Sequence, residues 1–305
     1  MFSTKIGAAR LLIGVVVSLM ALKVVVSWLT GSISILAQAS DSLLDLFAAI
    51  ITLSAIRIAA KPADTEHPYG HGKMEDFAGT IQGILIFIAG GLIIYFSILR
   101  IIEGSSVEMI QSGLAVMLVS IVASVFLSRH LLKVSRATGS VALESNAKNI
   151  TADAYSAVAV IVGLVVVQFT RIYIIDSIIA IGVAIYILKM AVDAIRKPIS
   201  GLLDATLPPL QQTAIEVCLM EHRHEVASFH ALRTRRAGSQ YYVDLHLVMA
   251  RTINLEQAHQ ICDQIETEIQ AELCEASITI HVEPCNYECE KCSVVCLEYR
   301  SKHKR

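Results

Sequence analysis

Charge is what this sequence has least of. Only 17% of its 305 residues are Asp, Glu, Lys or Arg, against 54% apolar residues and a mean hydropathy of +0.60. Soluble domains carry roughly a quarter charged residues, so this composition excludes an ordinary soluble protein and assigns most of the chain to a bilayer. Cysteine is absent before Cys218. All seven cysteines (Cys218, Cys262, Cys274, Cys285, Cys289, Cys292 and Cys296) follow the last apolar run. The basic residues place that part in the reducing cytoplasm, which argues against a disulfide scaffold and for thiols or metal ligands. The chain also lacks a Gly-x-Gly-Asp signature, which excludes the intramembrane aspartyl proteases. It has no selectivity-filter loop and no broken-helix substrate site.

What is present is a series of six apolar runs near 10–30, 33–58, 79–101, 109–131, 150–170 and 174–195, each reaching or approaching the roughly 20 residues that cross a bilayer. Ala37-Gln38-Ala39 has the form of a signal-peptide cleavage site, but the run before it is longer than a signal core and five more follow. Lys5 and Arg10 precede the first run. Arg57, Lys61 and Lys73 lie between the second and third, Arg129, Lys133, Arg136 and Lys148 between the fourth and fifth, and Arg196 and Lys197 after the sixth. The alternate connections are short and poor in positive charge. The positive-inside rule therefore puts both termini in the cytoplasm.

The net charge of −2 hides two different parts, since most histidines and every cysteine fall in the last third. After Leu207-Pro208-Pro209 a helix is predicted to about Met220, then strands at 225–236 and 240–250 joined at Ala237-Gly238-Ser239. Tyr241, Val243, Leu245 and Leu247 alternate with Tyr242, Asp244, His246 and Val248, the pattern of a half-buried hairpin. Asn254 and Gln257 resemble a helix start, Ala258, Ile261, Ile265, Ile269 and Leu273 form a stripe at helical spacing, and a last strand is expected at 277–283. The order is α-β-β-α-β. A unit of roughly 80 residues buries a modest core, which dimerisation or bound metal would support. The expected division is 1–203 in the membrane, 204–284 as a cytoplasmic metal-binding and dimerisation domain, and 285–305 as a cysteine-rich tail.

Several polar residues point to cation chemistry. Asp41 and Asp45 are four apart within the second run, so a helix projects both from one face. Ionised groups persist in a bilayer mainly where they pair, line water or bind a cation. Asn149 and Asp153 repeat the spacing in the fifth run, which suggests a four-ligand cage. Between the second and third runs Asp64, His67 and His71 offer nitrogen and oxygen ligands in one loop that Pro68, Gly70 and Gly72 can bend. In the tail, period-2 geometry puts His281 and Glu283 on one face, with His246 on a neighbouring strand and His230 as a further ligand. His259, on the predicted helix, is a candidate to complete a second site. Cys285, Cys289, Cys292 and Cys296 have a C-x3-C-x2-C-x3-C spacing that fits neither the zinc-ribbon nor the ferredoxin pattern well, and they are read either as metal ligands or as a flexible reduced tail.

These motifs in this order resemble the cation diffusion facilitator family. The residues that carry the likeness are Ser32-Ile33-Ser34-Ile35-Leu36-Ala37 leading to Asp41 and Asp45, Lys61-Pro62-Ala63-Asp64, and His67-Pro68-Tyr69-Gly70-His71-Gly72-Lys73. Leu202-Leu203-Asp204, His230-Ala231-Leu232-Arg233-Thr234-Arg235 and His281-Val282-Glu283-Pro284 follow. The resemblance implies an α-helical membrane protein with six transmembrane helices and a C-terminal α+β cytoplasmic domain of metallochaperone-like fold. It implies a homodimeric, proton-coupled antiporter, not an enzyme, exporting a divalent transition metal ion by alternating access across a bacterial inner membrane. By position it makes Asp41, Asp45, Asn149 and Asp153 the transport site and Asp64, His67 and His71 a loop site. His230, His246, His259, His281 and Glu283 become a cytoplasmic binuclear site, and Lys73 and Asp204 a salt bridge where two protomers meet. The metals are transported and regulatory; no organic cofactor and no nucleic-acid partner is expected, and lipid surrounds the helices. Asn149 stands where zinc- and iron-transporting members carry His. An all-oxygen set favours Mn2+ or Fe2+ relative to Zn2+, so Fe2+, Mn2+ and Zn2+ remain candidates, with Cd2+ a further one. A transport-impaired paralogue serving as a metal sensor or heterodimeric scaffold is the alternative.

Overall fold

The computed structural model describes residues 3–30, 33–103, 114–170, 174–273 and 275–286. Two compact units divide the chain, Met1–Leu202 and Leu203–Arg305.

The first unit contains the long helices α1 (Lys5–Thr30), α2 (Ile33–Ala59), α3 (Lys73–Glu103), α4 (Leu114–Thr138), α5 (Val141–Thr170) and α6 (Ile174–Leu202). In lipid each backbone N–H and C=O must be satisfied within its own segment, which is why apolar runs of this length become helices. Among the described residues, five carry stretches long and apolar enough to cross a membrane, those of α1, α2, α3, α4 and α6. The first half of α5 is interrupted by Glu144, Lys148 and Asp153. The helices overrun the apolar runs at the basic end. Thus α3 starts at Lys73, and α4 and α5 nearly meet, separated by Gly139 and Ser140 with Gly139 at φ 66°. Hydropathy marks where lipid ends, whereas intrahelical hydrogen bonding continues through Arg129, Lys133, Arg136 and Glu144. Asn149 and Asp153 consequently lie well inside α5 and not at its start.

Small residues set the packing. Ala8, Ala9, Ala49, Ala55, Ala142 and Ala147 are buried among Leu12, Ile56, Leu131 and Leu143, uniting α1, α2, α4 and α5. A second cluster joins Ile86 of α3 to Ala152 of α5 and to Ile187, Ala191 and Ala194 of α6. Alanine and glycine let backbones approach where lipid supplies no hydrophobic drive between helices.

The second unit runs α7 (Pro209–Glu221), β1 (Ser228–Ala237), β2 (Gln240–Met249), α8 (Leu255–Leu273) and β3 (Ala276–Pro284). Pro209 opens α7, where its missing N–H costs nothing. Asn254 caps α8, its Oδ1 accepting from the Gln257 amide at 2.8 Å. The sheet order is β1-β2-β3, with β1 antiparallel and β3 parallel to β2. Val243, Leu245, Leu247 and Met249 of β2 form a core with Ile215 and Leu219 of α7 and Ile265 and Ile269 of α8. Both helices therefore cover one face of the sheet. Strand β1 starts at Ser228, later than the sequence pattern predicts, because residues 222–226 close a turn in which the Glu225 and Val226 amides bond the His222 carbonyl.

Candidate functional site

Asp45 on α2 and Asn149 and Asp153 on α5 come together. The Asn149 amide nitrogen donates to Asp45 Oδ1 at 3.3 Å and to Asp153 Oδ2 at 3.5 Å. Two carboxylates on different helices thus share one neutral donor, which satisfies both without adding charge. Asp41 is one turn before Asp45 on α2; its side chain is outside the described groups.

The loop 60–72 builds a second cluster. The Asp64 Oδ1 accepts from the Glu66 and His67 amides at 3.1 and 2.7 Å, and the Gly70 amide bonds the His67 carbonyl at 2.9 Å with Gly70 at φ 76°. This bend sets His67 Nδ1 3.3 Å from Asp64 Oδ1 and His71 Nε2 3.4 Å from Asp64 Oδ2. The hydrogen bond from the His67 amide holds the Asp64 carboxyl below its usual range, outweighing the opposing effect of partial desolvation. The ligand atoms of Asp64, His67 and His71 all lie within 4.8 Å of one another, and the buried His71 Nδ1 has no protein hydrogen-bond partner. Chemically this set fits a borderline divalent ion.

On the sheet, register places His230 opposite His246 and His246 opposite His281, so three imidazoles form one row across β1, β2 and β3. They occupy the face opposite α7 and α8. Their rings are 5.1 and 4.8 Å apart between centroids. Glu283 reaches His246 Nδ1 at 2.9 Å, His230 Nε2 at 3.5 Å and His281 Nε2 at 3.8 Å. His230, His246 and Glu283 have ligand atoms within 4.8 Å of one another. A bulge between His230 and Arg233, with Ala231 at φ 51°, turns His230 into the row. The structure does not bring His259 to this row within the chain. It is exposed on α8 and pairs with Asp263 at 3.5 Å, because the buried stripe of α8 uses Ala258, Cys262 and Ile265.

Lys73 donates to the Leu202 carbonyl at 3.3 Å, while Asp204 pairs with Arg235 at 3.2 Å. Cys285 is buried at the end of β3, its amide bonding the Met249 carbonyl. Cys289, Cys292 and Cys296 lie outside the described residues.

The family model for the cation efflux transmembrane domain matches residues 10–203, and that for the cytoplasmic domain of cation efflux proteins matches residues 207–285. The chain belongs to the cation diffusion facilitator family. The cation-efflux pump FieF of Pectobacterium atrosepticum is 33% identical over 266 residues, 87% of this chain and 88% of that one. An uncharacterized transporter of Synechocystis sp., sll1263, is 31% identical over 276 residues, 90% and 89% of the two chains. Among solved structures, the zinc form of the zinc transporter CzrB covers 27% of this chain and 94% of its own, at 34% identity and a TM-score of 0.26. This cation diffusion facilitator is accordingly a multi-pass membrane transporter for cation efflux, with a helix-and-strand cytoplasmic domain.

Two polar features of the facilitator escape the spacing analysis. Gln82 of α3 donates to the Ala48 carbonyl at 2.9 Å and to Thr52 Oγ1 at 3.2 Å, and Asn146 of α5 donates to the same Thr52 oxygen at 3.1 Å. All three side chains are buried, tying α2, α3 and α5 one to two turns from the Asp45–Asn149 contact. Lys23 of α1 donates to Ser42 Oγ on α2 at 2.7 Å. A single lysine inside an apolar run is the signal that would have found it.

Proposed function

We propose that this facilitator exports a divalent transition metal ion from the cytoplasm across a bacterial inner membrane, with protons returning as the transport site alternates between sides. Asp41, Asp45, Asn149 and Asp153 hold the cargo. The observation that carries this reading is the Asn149 bridge between Asp45 and Asp153, which joins α2 and α5 at one point. With three carboxylates and one amide oxygen the donor set is all oxygen, which favours Mn2+ or Fe2+ relative to Zn2+. FieF is named a cation-efflux pump, and Zn2+ and Cd2+ stand as the competing cargoes. A carboxylate serves as the proton acceptor, since no histidine is in the set.

The protein works as a homodimer with both termini cytoplasmic. Its other metal sites are regulatory. Asp64, His67 and His71 hold one ion in the loop, and His230, His246 and Glu283, with His281 beside them, hold metal on the sheet face. Bound there, an ion would cross-link strands β1, β2 and β3.

Uptake of Zn2+, Fe2+, Mn2+ and Cd2+ into proteoliposomes carrying a proton gradient tests this. Mn2+ or Fe2+ should be moved by the native protein, Asp45→Ala should abolish uptake, and Asn149→His should shift preference toward Zn2+. A native protein that moves none of the four ions, with zinc transport restored by Asn149→His, would instead identify a transport-impaired partner or sensor.

A further inference from the structure

Lys23 is seven residues before the end of α1 at Thr30, about 10 Å along the helix from that end. Its neighbours Leu22, Val24 and Val25 are exposed apolar side chains of a candidate membrane span. A cation at such a depth is costly, and lysines near helix ends ordinarily relieve the cost by extending toward the headgroups. This one does not. Its ammonium donates to Ser42 Oγ at 2.7 Å, and Ser42 is only 4% exposed. Ser42 directly follows Asp41 and is one helical turn before Asp45 on α2. A neutral hydroxyl satisfies one N–H but does not balance the charge. The groups of opposite sign on that stretch of α2 are the two aspartates.

We propose that Lys23 is the resident counter-charge of the transport site and sets it to the charge that a divalent ion neutralises. This rests on the reading that Asp41, Asp45, Asn149 and Asp153 bind the cargo. Three ionised aspartates contribute −3, Asn149 contributes nothing, and the Lys23 ammonium brings the total to −2. A bound divalent ion then leaves the loaded site neutral, the state that changes sides most easily in a medium of low dielectric. Without the lysine the loaded site keeps one negative charge. The ammonium also opposes the cargo at short range, which limits affinity and helps the ion leave. Lys23 is therefore a positioning residue for charge and not a ligand.

The competing structural role is a pin between α1 and α2. The two roles predict opposite signs for the apparent affinity, so the test is the split between KM and maximal rate. Initial rates of Mn2+ and Zn2+ uptake into proteoliposomes are compared for the native chain, Lys23→Gln, Lys23→Met and Lys23→Arg, with Asp45→Ala in parallel. Lys23→Gln keeps a donor for Ser42 and loses only the charge, so it remains informative where Lys23→Met fails to accumulate. The expected result is a KM about tenfold lower for Lys23→Gln, from removal of one like charge beside the site. Its maximal rate should fall several-fold, and Lys23→Arg should stay near native. An unchanged or higher KM for Lys23→Gln overturns the proposal and leaves the pin. Uptake that survives Asp45→Ala overturns the underlying site reading instead, whatever Lys23 does.

Discussion

Asn149 Nδ2 lies 3.3 Å from Asp45 Oδ1, and this hydrogen bond links α5 to α2 at the candidate transport site. It gives Asn149 a role in the empty protein, because its amide donates to a carboxylate on each of the two helices. Asn149→Leu keeps the γ-branched shape and removes the donor. Metal-free Asn149→Leu should be less stable than the native chain by about 1–3 kcal/mol, the cost of removing one hydrogen bond to a partly buried charged acceptor. Thermal unfolding in detergent with and without Mn2+ checks this, and equal native and mutant midpoints without metal would contradict it.

The i, i+4 pairs were legible because helical period alone decides which side chains share a face. That the two pairs form one cage was suggested by the repeated spacing and the family resemblance, since periodicity alone carries no information on which helices neighbour each other. In the cytoplasmic domain alternation marks His246 and Glu283 as facing away from the core. That His230 joins them depends on the bulge at Ala231, and that His281 aligns depends on the parallel pairing of β3 with β2. Neither register is written in a period of two. Lys23 is hidden for a different reason, since one charge among some twenty apolar residues barely changes the hydropathy that defines the span.

The α3–α6 contact offers a test of close packing. A Cβ added at Gly83 would meet the Ile195 side chain and come within 3.0 Å of the Ile195 backbone nitrogen, whereas one added at Gly91 of the same helix meets nothing within 4 Å. Gly83→Ala should therefore destabilise the membrane unit by about 1–3 kcal/mol through overpacking. Gly91→Ala should be neutral or gain up to about 1 kcal/mol from helix propensity. Unfolding midpoints of the two variants, purified side by side, should differ in that order.

For the sheet row, His246 is the central residue, contacting Glu283 at 2.9 Å and lying edge-on or tilted against both neighbouring histidines. His246→Ala should reduce the number of ions bound per chain while leaving Mn2+ uptake at saturating concentration largely intact. Equilibrium dialysis of the full chain measures the first and proteoliposome uptake the second. An unchanged binding stoichiometry would remove His246 from the metal site.

The last prediction concerns the joint between α7 and α8. His222 follows α7 directly, and both its ring nitrogens meet carboxylates, Nδ1 to Glu225 and Nε2 to Glu268, each at 3.0 Å. Burial alone would lower its pKa, but the hydrogen bonds to Glu225 and Glu268 and their charges outweigh that and raise it above the ordinary 6.5. Position adds to this, since a cation suits a helix C-terminus. A raised folded-state pKa means that the folded protein holds this proton more tightly than the unfolded chain. The stabilisation is then complete below 6.5 and is lost as pH rises through the raised value. Glu268 behaves oppositely, lowered chiefly by the His222 hydrogen bond, so its share is present above 4.5 and is lost as pH falls through the lowered value. The neighbouring Cys218 thiol, pushed up to about 12 by burial and then by Glu268, stays protonated in the folded protein, so its share is complete well below the ordinary 9.0 and is lost as pH rises past that value. The joint is thus firmest between 4.5 and 6.5 and loosens in mildly alkaline solution. Hydrogen exchange corrected for its intrinsic pH dependence should show α7 losing protection between pH 6 and 8 in the native chain, below the range in which the Cys218 thiol contributes. His222→Gln should show no such trend, and a native trend that survives this substitution would place the titrating group elsewhere.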